Sequence, residues 1–124
     1  MSDKAMFVFV YGTLKKGKRN HFVISDLPFT SKAETNEKGF YLQDNGNFPY
    51  LLRTKSKKLA KRIKGEVYSI NDSQIAMLDR FEGVPSLYNR EIIDVKLENG
   101  AIVKAYVYIP NYDPQQTILE TDNY

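Results

Sequence analysis

Arg90-Glu91-Ile92-Ile93-Asp94-Val95-Lys96-Leu97, then Glu98-Asn99-Gly100, then Ala101-Ile102-Val103-Lys104-Ala105-Tyr106-Val107-Tyr108-Ile109: this stretch decides the fold class. Its first part alternates, with Ile93, Val95 and Leu97 on one side, as a half-buried strand does. Asn99-Gly100 is the strongest short-range hairpin signal, because both residues tolerate the positive φ that a tight turn needs. Ala101 to Ile109 then answers as the partner strand. The sheet is therefore at least partly antiparallel.

Working outward, Met6-Phe7-Val8-Phe9-Val10-Tyr11 is β-branched and aromatic and reads as a buried strand. Gly12-Thr13-Leu14 ends it, and Lys15 to Asn20 is a polar loop containing Gly17. His21 to Leu27 reads as a short helix stopped before Pro28. Ser31 to Lys38 is polar and reads as a surface loop. Phe40 to Gln43 and Tyr50 to Arg53 are strand candidates, joined by the turn residues Asp44-Asn45-Gly46-Asn47. Ile63 to Ile70 is a further strand, in which Gly65 signals a bulge or a close backbone approach. Asn71 or Asp72 caps a helix over Ser73 to Phe81, with Ile75, Leu78 and Phe81 expected on one face. Gly83 ends that helix and Pro85 prevents its return. The tail from Asn111 is polar. The sum is about six strands and one or two helices, an α+β domain. The pattern alone does not say whether the sheet closes.

The 124 residues suit one domain spanning 1–124, with its core over about 6–112. There is no Cys, which excludes disulfides, thiolate chemistry and Cys-based metal sites. His21 is the single His, so no multi-His metal site can form, and no G-x-S-x-G elbow accompanies it. Neither a G-x-x-x-x-G-K-[ST] nor a G-x-G-x-x-G loop occurs, so no nucleotide cofactor is expected. Met1-Ser2-Asp3-Lys4 carries no leader pattern, and no apolar run approaches the ~20 residues of a membrane span. These features predict a soluble, cytoplasmic protein, and a monomer in the absence of an evident interface motif. Net charge is +3, with the excess concentrated in Lys55 to Lys64. That run reads either as a solvated loop or as a contact for an anionic partner.

Three features can carry chemistry. Glu82 stands at the predicted helix C-terminus, where the helix dipole disfavours a carboxylate, among the apolar residues Phe81, Val84 and Leu87. Dipole and desolvation both raise a carboxyl pKa, toward the range that general acid/base work needs. An exposed Glu with its head in water is the plainer alternative. Tyr11-Gly12-Thr13-Leu14 is the second: a strand stopping at Gly leaves the following N–H groups free to bind a carboxylate or an oxyanion. An ordinary strand-to-loop turn has the same residues. Tyr88, Tyr106, Tyr108 and Tyr112 are the third, as core or as donors to a ligand.

Together these pieces resemble the γ-glutamylcyclotransferase-like (AIG2-like) superfamily, and within it the γ-glutamylamine cyclotransferase group. Phe7 to Gly17 matches the family's strand and Y-G-T-L-[KR]-x-G turn, followed by Asn20-His21. Gly65-Glu66-Val67-Tyr68 resembles its G-E-[IV]-Y strand. Leu78-Asp79-Arg80-Phe81-Glu82-Gly83 and Pro85-Ser86-Leu87-Tyr88-Asn89-Arg90 look like the L-D-x-F-E segment and its continuation, and Tyr106-Val107-Tyr108 matches the closing strand. The resemblance implies a small mixed β-barrel with flanking short helices and a cavity. It implies a catalytic Glu at Glu82, and a substrate site at Tyr11, Gly12, Thr13 and Leu14, with Tyr88 close by. The implied activity cyclises the γ-glutamyl part of a γ-glutamyl amine, such as γ-glutamyl-ε-lysine, to 5-oxoproline and releases the amine. It needs no metal and no cofactor, and its partner is a small molecule rather than a membrane or nucleic acid. Rival expectations are a γ-glutamyl amino acid substrate, and a non-catalytic basic barrel that binds nucleic acid or a metabolite.

Overall fold

The computed structural model describes residues 6–124. The reading of Met1-Ser2-Asp3-Lys4 concerns residues outside that range. Along the chain run β1 (Met6–Val10), β2 (Phe29–Thr35), β3 (Phe40–Asp44), β4 (Pro49–Arg53), β5 (Lys64–Ile70), α1 (Asp72–Glu82), β6 (Tyr88–Leu97), β7 (Ile102–Pro110) and β8 (Thr117–Leu119). Strands β1, β5, β2, β6 and β7 close into a barrel in that order, while β4, β3 and β8 form a separate three-stranded sheet. The barrel closes through its one parallel pair, β1 against β7, with Val8 opposite Tyr106. This is the α+β, mixed-barrel architecture that the resemblance implied.

Two of the expected turns are in place. The Asn99-Gly100 turn joins β6 to β7 with Gly100 at φ +89°, and the β3–β4 turn has Gly46 at φ +92°. β1 is apolar throughout because both of its faces are covered. Phe9 points into a core with Val67, Val95 and Val107, whereas Val8 and Val10 join a second core with Ile75, Leu78 and Tyr108. Gly65 makes the expected close approach: a Cβ there would collide with the Val10 carbonyl oxygen across the β1–β5 pair.

Four expectations are corrected. Ser31 to Lys38 is not a surface loop; most of it lies in β2, the barrel strand between β5 and β6. Its inward residues are the small Ala33 and the semi-polar Thr35, so its period of two carries little hydrophobic contrast. Thr35 is fully buried because its hydroxyl is used twice, accepting from the Ile63 N–H at 2.9 Å and donating to the Glu37 carbonyl at 3.2 Å. The helix expected over His21 to Leu27 is one 3-10 turn, His21–Val23, followed by turns that bury Ile24 and Leu27. The polar tail contributes β8, whose register against β3 places Leu119 opposite Leu42. Phe81 does not share the buried face of Ile75 and Leu78; it is 47 % exposed. Three-residue steps fall short of a full turn by ~60° each, so Phe81 stands ~60° from Leu78 and ~120° from Ile75, at the edge of that face.

Candidate active site

α1 begins with a capping box in which Asn71 accepts from the Gln74 N–H and the Gln74 side chain accepts from the Asn71 N–H. Its apolar stripe, Ile75 and Leu78, packs on the outer face of β1. Its rotation is fixed by Asp79, whose carboxylate accepts from Arg90 Nη1 at 2.6 Å and from the Tyr108 hydroxyl at 2.9 Å. The Arg90 guanidinium lies over the Tyr106 ring, 4.7 Å from its centre. One turn later Gly83 enters the left-handed region at φ +72°, and the Val84 N–H closes on the Asp79 carbonyl. Glu82 is therefore the last helical residue, placed by a helix whose two ends and inner face are all tied down.

The strand-to-loop turn after β1 supplies another part of the wall. Here Gly12 is required by contact rather than by dihedral angle: a Cβ would stand 2.8 Å from Cγ of Pro49, which begins β4. The amide groups of Gly12, Thr13 and Leu14 donate to no acceptor among the described residues. Their carbonyls are held: Gly12 accepts from the Lys15 N–H at 3.1 Å, Thr13 from the Asn20 N–H at 3.0 Å, and Leu14 from His21 Nδ1 at 2.8 Å.

Glu82 and the Tyr11–Leu14 turn line one cavity of about 250 Å³. Tyr88 lines it as well, so the six residues expected to form the site, Tyr11, Gly12, Thr13, Leu14, Glu82 and Tyr88, border one cavity. The Tyr11 hydroxyl donates to the Tyr108 carbonyl at 2.8 Å, bracing β1 against β7. Eight further residues complete the wall: Phe9 and Val10 of β1, with Asn20, Phe48, Pro49, Phe81, Leu87 and Tyr108. Of these, Asn20 sat inside a recognised motif without a role, and Tyr108 belonged to the aromatic group. Phe48 and Pro49 follow a turn that carries no functional pattern, so sequence gave no reason to choose them. Tyr106 is half-buried against the second core with Arg90 over its ring, and Tyr112 is exposed.

Burial pushes the Glu82 carboxyl up to about 7. The cause is loss of water among aromatic and aliphatic groups, with no lysine or arginine on the cavity wall to restore the charged form. Burial also raises the phenols of Tyr11, Tyr88 and Tyr108, and the neighbouring Glu82 charge raises each further. They are neutral donors at any physiological pH. The site thus offers a carboxyl able to take up and return a proton near neutrality, in one cavity with a turn whose amides find no acceptor among the described residues.

The family model described as "Gamma-glutamyl cyclotransferase, AIG2-like" matches residues 8–124. Gamma-glutamylaminecyclotransferase C of Danio rerio is 34 % identical over 119 residues, covering 86 % of this chain and 77 % of that protein. The Homo sapiens gamma-glutamylaminecyclotransferase is 35 % identical over 96 residues, covering 73 % of this chain and 61 % of the human protein. The crystal structure of an AIG2-like protein from Mus musculus superposes with a TM-score of 0.83 at 31 % identity, covering 98 % of this chain and 89 % of that one.

Proposed function

Because this chain belongs to the AIG2-like γ-glutamyl cyclotransferase family, we propose that it converts a γ-glutamyl amine to 5-oxoproline and the free amine, with Glu82 as general acid and base. The reading rests on one observation, that a carboxyl raised to about 7 shares a cavity with the unpaired amides of Gly12 to Leu14.

The reaction is an internal aminolysis. At neutral pH the substrate's α-amine is an ammonium and cannot attack. Ionised Glu82 takes one of its protons, and the freed amine adds to the γ-carbonyl carbon to close a five-membered ring. Negative charge collects on the former carbonyl oxygen, where preorganised N–H donors stabilise it most. Protonated Glu82 gives its proton to the leaving nitrogen as the C–N bond breaks. The closed ring nitrogen still carries two protons; ionised Glu82 takes one of these as well and passes it to the departing amine, so the α-nitrogen loses two hydrogens, the leaving nitrogen gains two, and Glu82 starts and ends ionised. No water is consumed. Holding amine and carbonyl together supplies much of the rate, since orientation is worth roughly 7–11 kcal/mol in favourable intramolecular cases. The free amides of Gly12 to Leu14 suit either the oxyanion or the substrate's α-carboxylate.

The cavity wall also bears on the leaving group. Phe81 and Leu87, 47 % and 54 % exposed, stand with Phe48 on a wall that has no lysine or arginine. A leaving group with a carboxylate beside the scissile nitrogen finds no cation there, which favours an amine over an α-amino acid. The test is a panel of γ-glutamyl amines and γ-glutamyl amino acids assayed for 5-oxoproline, with Glu82→Gln alongside. Release from γ-glutamyl amines by the unaltered protein only is expected. Near-normal release by Glu82→Gln would refute the role given to the carboxyl.

A further inference from the structure

Asn20 and His21 contribute three hydrogen bonds to the turn that carries the free amides. The Asn20 N–H donates to the Thr13 carbonyl at 3.0 Å, Asn20 Nδ2 donates to Thr13 Oγ1 at 2.9 Å, and His21 Nδ1 donates to the Leu14 carbonyl at 2.8 Å. Each bond spans seven residues, so the pair grips the turn from outside it. Peptide planarity turns this grip into an orientation. In a trans peptide the carbonyl of one residue and the N–H of the next point in opposite directions. A Thr13 carbonyl drawn toward Asn20 therefore aims the Leu14 N–H the other way. A Leu14 carbonyl drawn toward His21 likewise fixes the Lys15 N–H, and that group closes on the Gly12 carbonyl. Fixing the Gly12 carbonyl in turn sets the Thr13 N–H. The Asn20 backbone N–H and the His21 ring thus set three successive peptide planes, and the Asn20 side chain anchors the Thr13 side chain between them.

We infer that Asn20 and His21 are positioning residues that hold the Thr13 and Leu14 amides in the orientation in which they receive a ligand oxygen. The inference rests on the function proposed above for what the ligand is, but not for the grip itself. His21, the single His of the chain, then acts through its Nδ1–H and not as a base. Its ring is steadied by Tyr68, with centroids 6.0 Å apart. Asn20 also lines the cavity, so its side chain is spent on Thr13 at the edge of the space the ligand enters.

The experiment compares Asn20→Ala, His21→Phe and His21→Asn in the full chain. His21→Phe keeps a ring but has no donor, whereas the amide nitrogen of His21→Asn stands close to the place of Nδ1. Losing one of these bonds should weaken 5-oxoproline binding and lower kcat/KM about three- to tenfold. His21→Asn should recover most of the loss. In Asn20→Ala and His21→Phe the acid limb of the pH profile set by Glu82 should not move. A merely structural role would lower the amount of folded protein and leave the affinity of each folded molecule unchanged. Amide 15N relaxation at Thr13 and Leu14 needs no substrate and should show added motion in Asn20→Ala and His21→Phe but not in His21→Asn. Unaltered motion, or His21→Asn behaving as His21→Phe does, would overturn the inference. If the unaltered protein formed no 5-oxoproline, the proposed function would fail, while the relaxation result would still decide on the grip.

Discussion

Two hollows among the described residues differ sharply in their chemistry. The cavity beside Glu82 is the smaller, about 250 Å³ against about 550 Å³. It holds one carboxyl among aromatic and aliphatic side chains. The larger cleft, across β5, β2 and β6, carries Lys15, Lys16, Lys18, Lys32, Lys64 and Lys96 together with Glu34, Glu66 and Glu98. Within it the strands set opposite charges face to face, Lys32 against Glu66 and Glu34 against both Lys64 and Lys96. The result is a solvated surface of six lysines and three glutamates, net positive and in contact with water. The lesson is that proton chemistry comes from isolating one charge from water and from partners, not from gathering many charges in a larger space.

The sharpest test of that contrast exchanges one carboxylate in each hollow. Glu82→Gln should lower kcat for 5-oxoproline formation by about 10²–10⁴-fold, the usual range for losing a positioned acid/base group. Glu34→Gln in the cleft should leave it within about twofold, as surface charges rarely matter more. A comparable loss from both would erase the distinction.

The pH profile probes the same isolation. With Glu82 required as the base and raised to about 7, kcat/KM should fall about tenfold per pH unit below that value. A limb near 4.5 instead would mean that the carboxyl is solvated during turnover.

Gly12→Ala tests whether the cavity is as closely built as the contact with Pro49 implies. The added methyl must displace the Pro49 ring, which should cost about 1–3 kcal/mol in thermal or denaturant unfolding and weaken 5-oxoproline binding. An unchanged melting temperature would show that the wall yields.

The smallest effect is on stability. Burial raises the folded pKa of Glu82 above its unfolded value. The contribution is therefore complete below about pH 4.5, lost as pH rises to about 7, and constant above. Glu82→Gln escapes this loss. It should be more stable than the unaltered protein by up to about 2 kcal/mol at pH 8, with the difference fading as pH falls below 5. Parallel stability curves would show that the carboxyl is not desolvated.

Sequence revealed most where one physical cause dominates a segment. Met6 to Tyr11 is buried on both faces and shows it in every residue. Asn99-Gly100 names its own turn. Glu82 was reachable because the helix end and its apolar neighbours are local in sequence. β2 escaped because its inward positions are Ala33 and Thr35, whose fit depends on the barrel interior and on the Ile63 and Glu37 backbone rather than on hydrophobicity. Its outward Lys32 and Glu34 then make it read as a loop. β8 escaped because three residues hold too little pattern to see, and their pairing partner lies far back in the chain at β3. Phe48 and Pro49 reach the cavity only through the packing of one sheet against another, which no local pattern encodes.

The contact between Gly12 and Pro49 means that the hollow is a seam between two separately hydrogen-bonded sheets, not a hole within one. The barrel brings the proton carrier and the row of donors; the β3–β4 hairpin leans over them as a roof resting on a single missing methyl group. Remodelling the hairpin tip would reshape what fits beneath the roof while leaving the barrel's reactive groups where they stand.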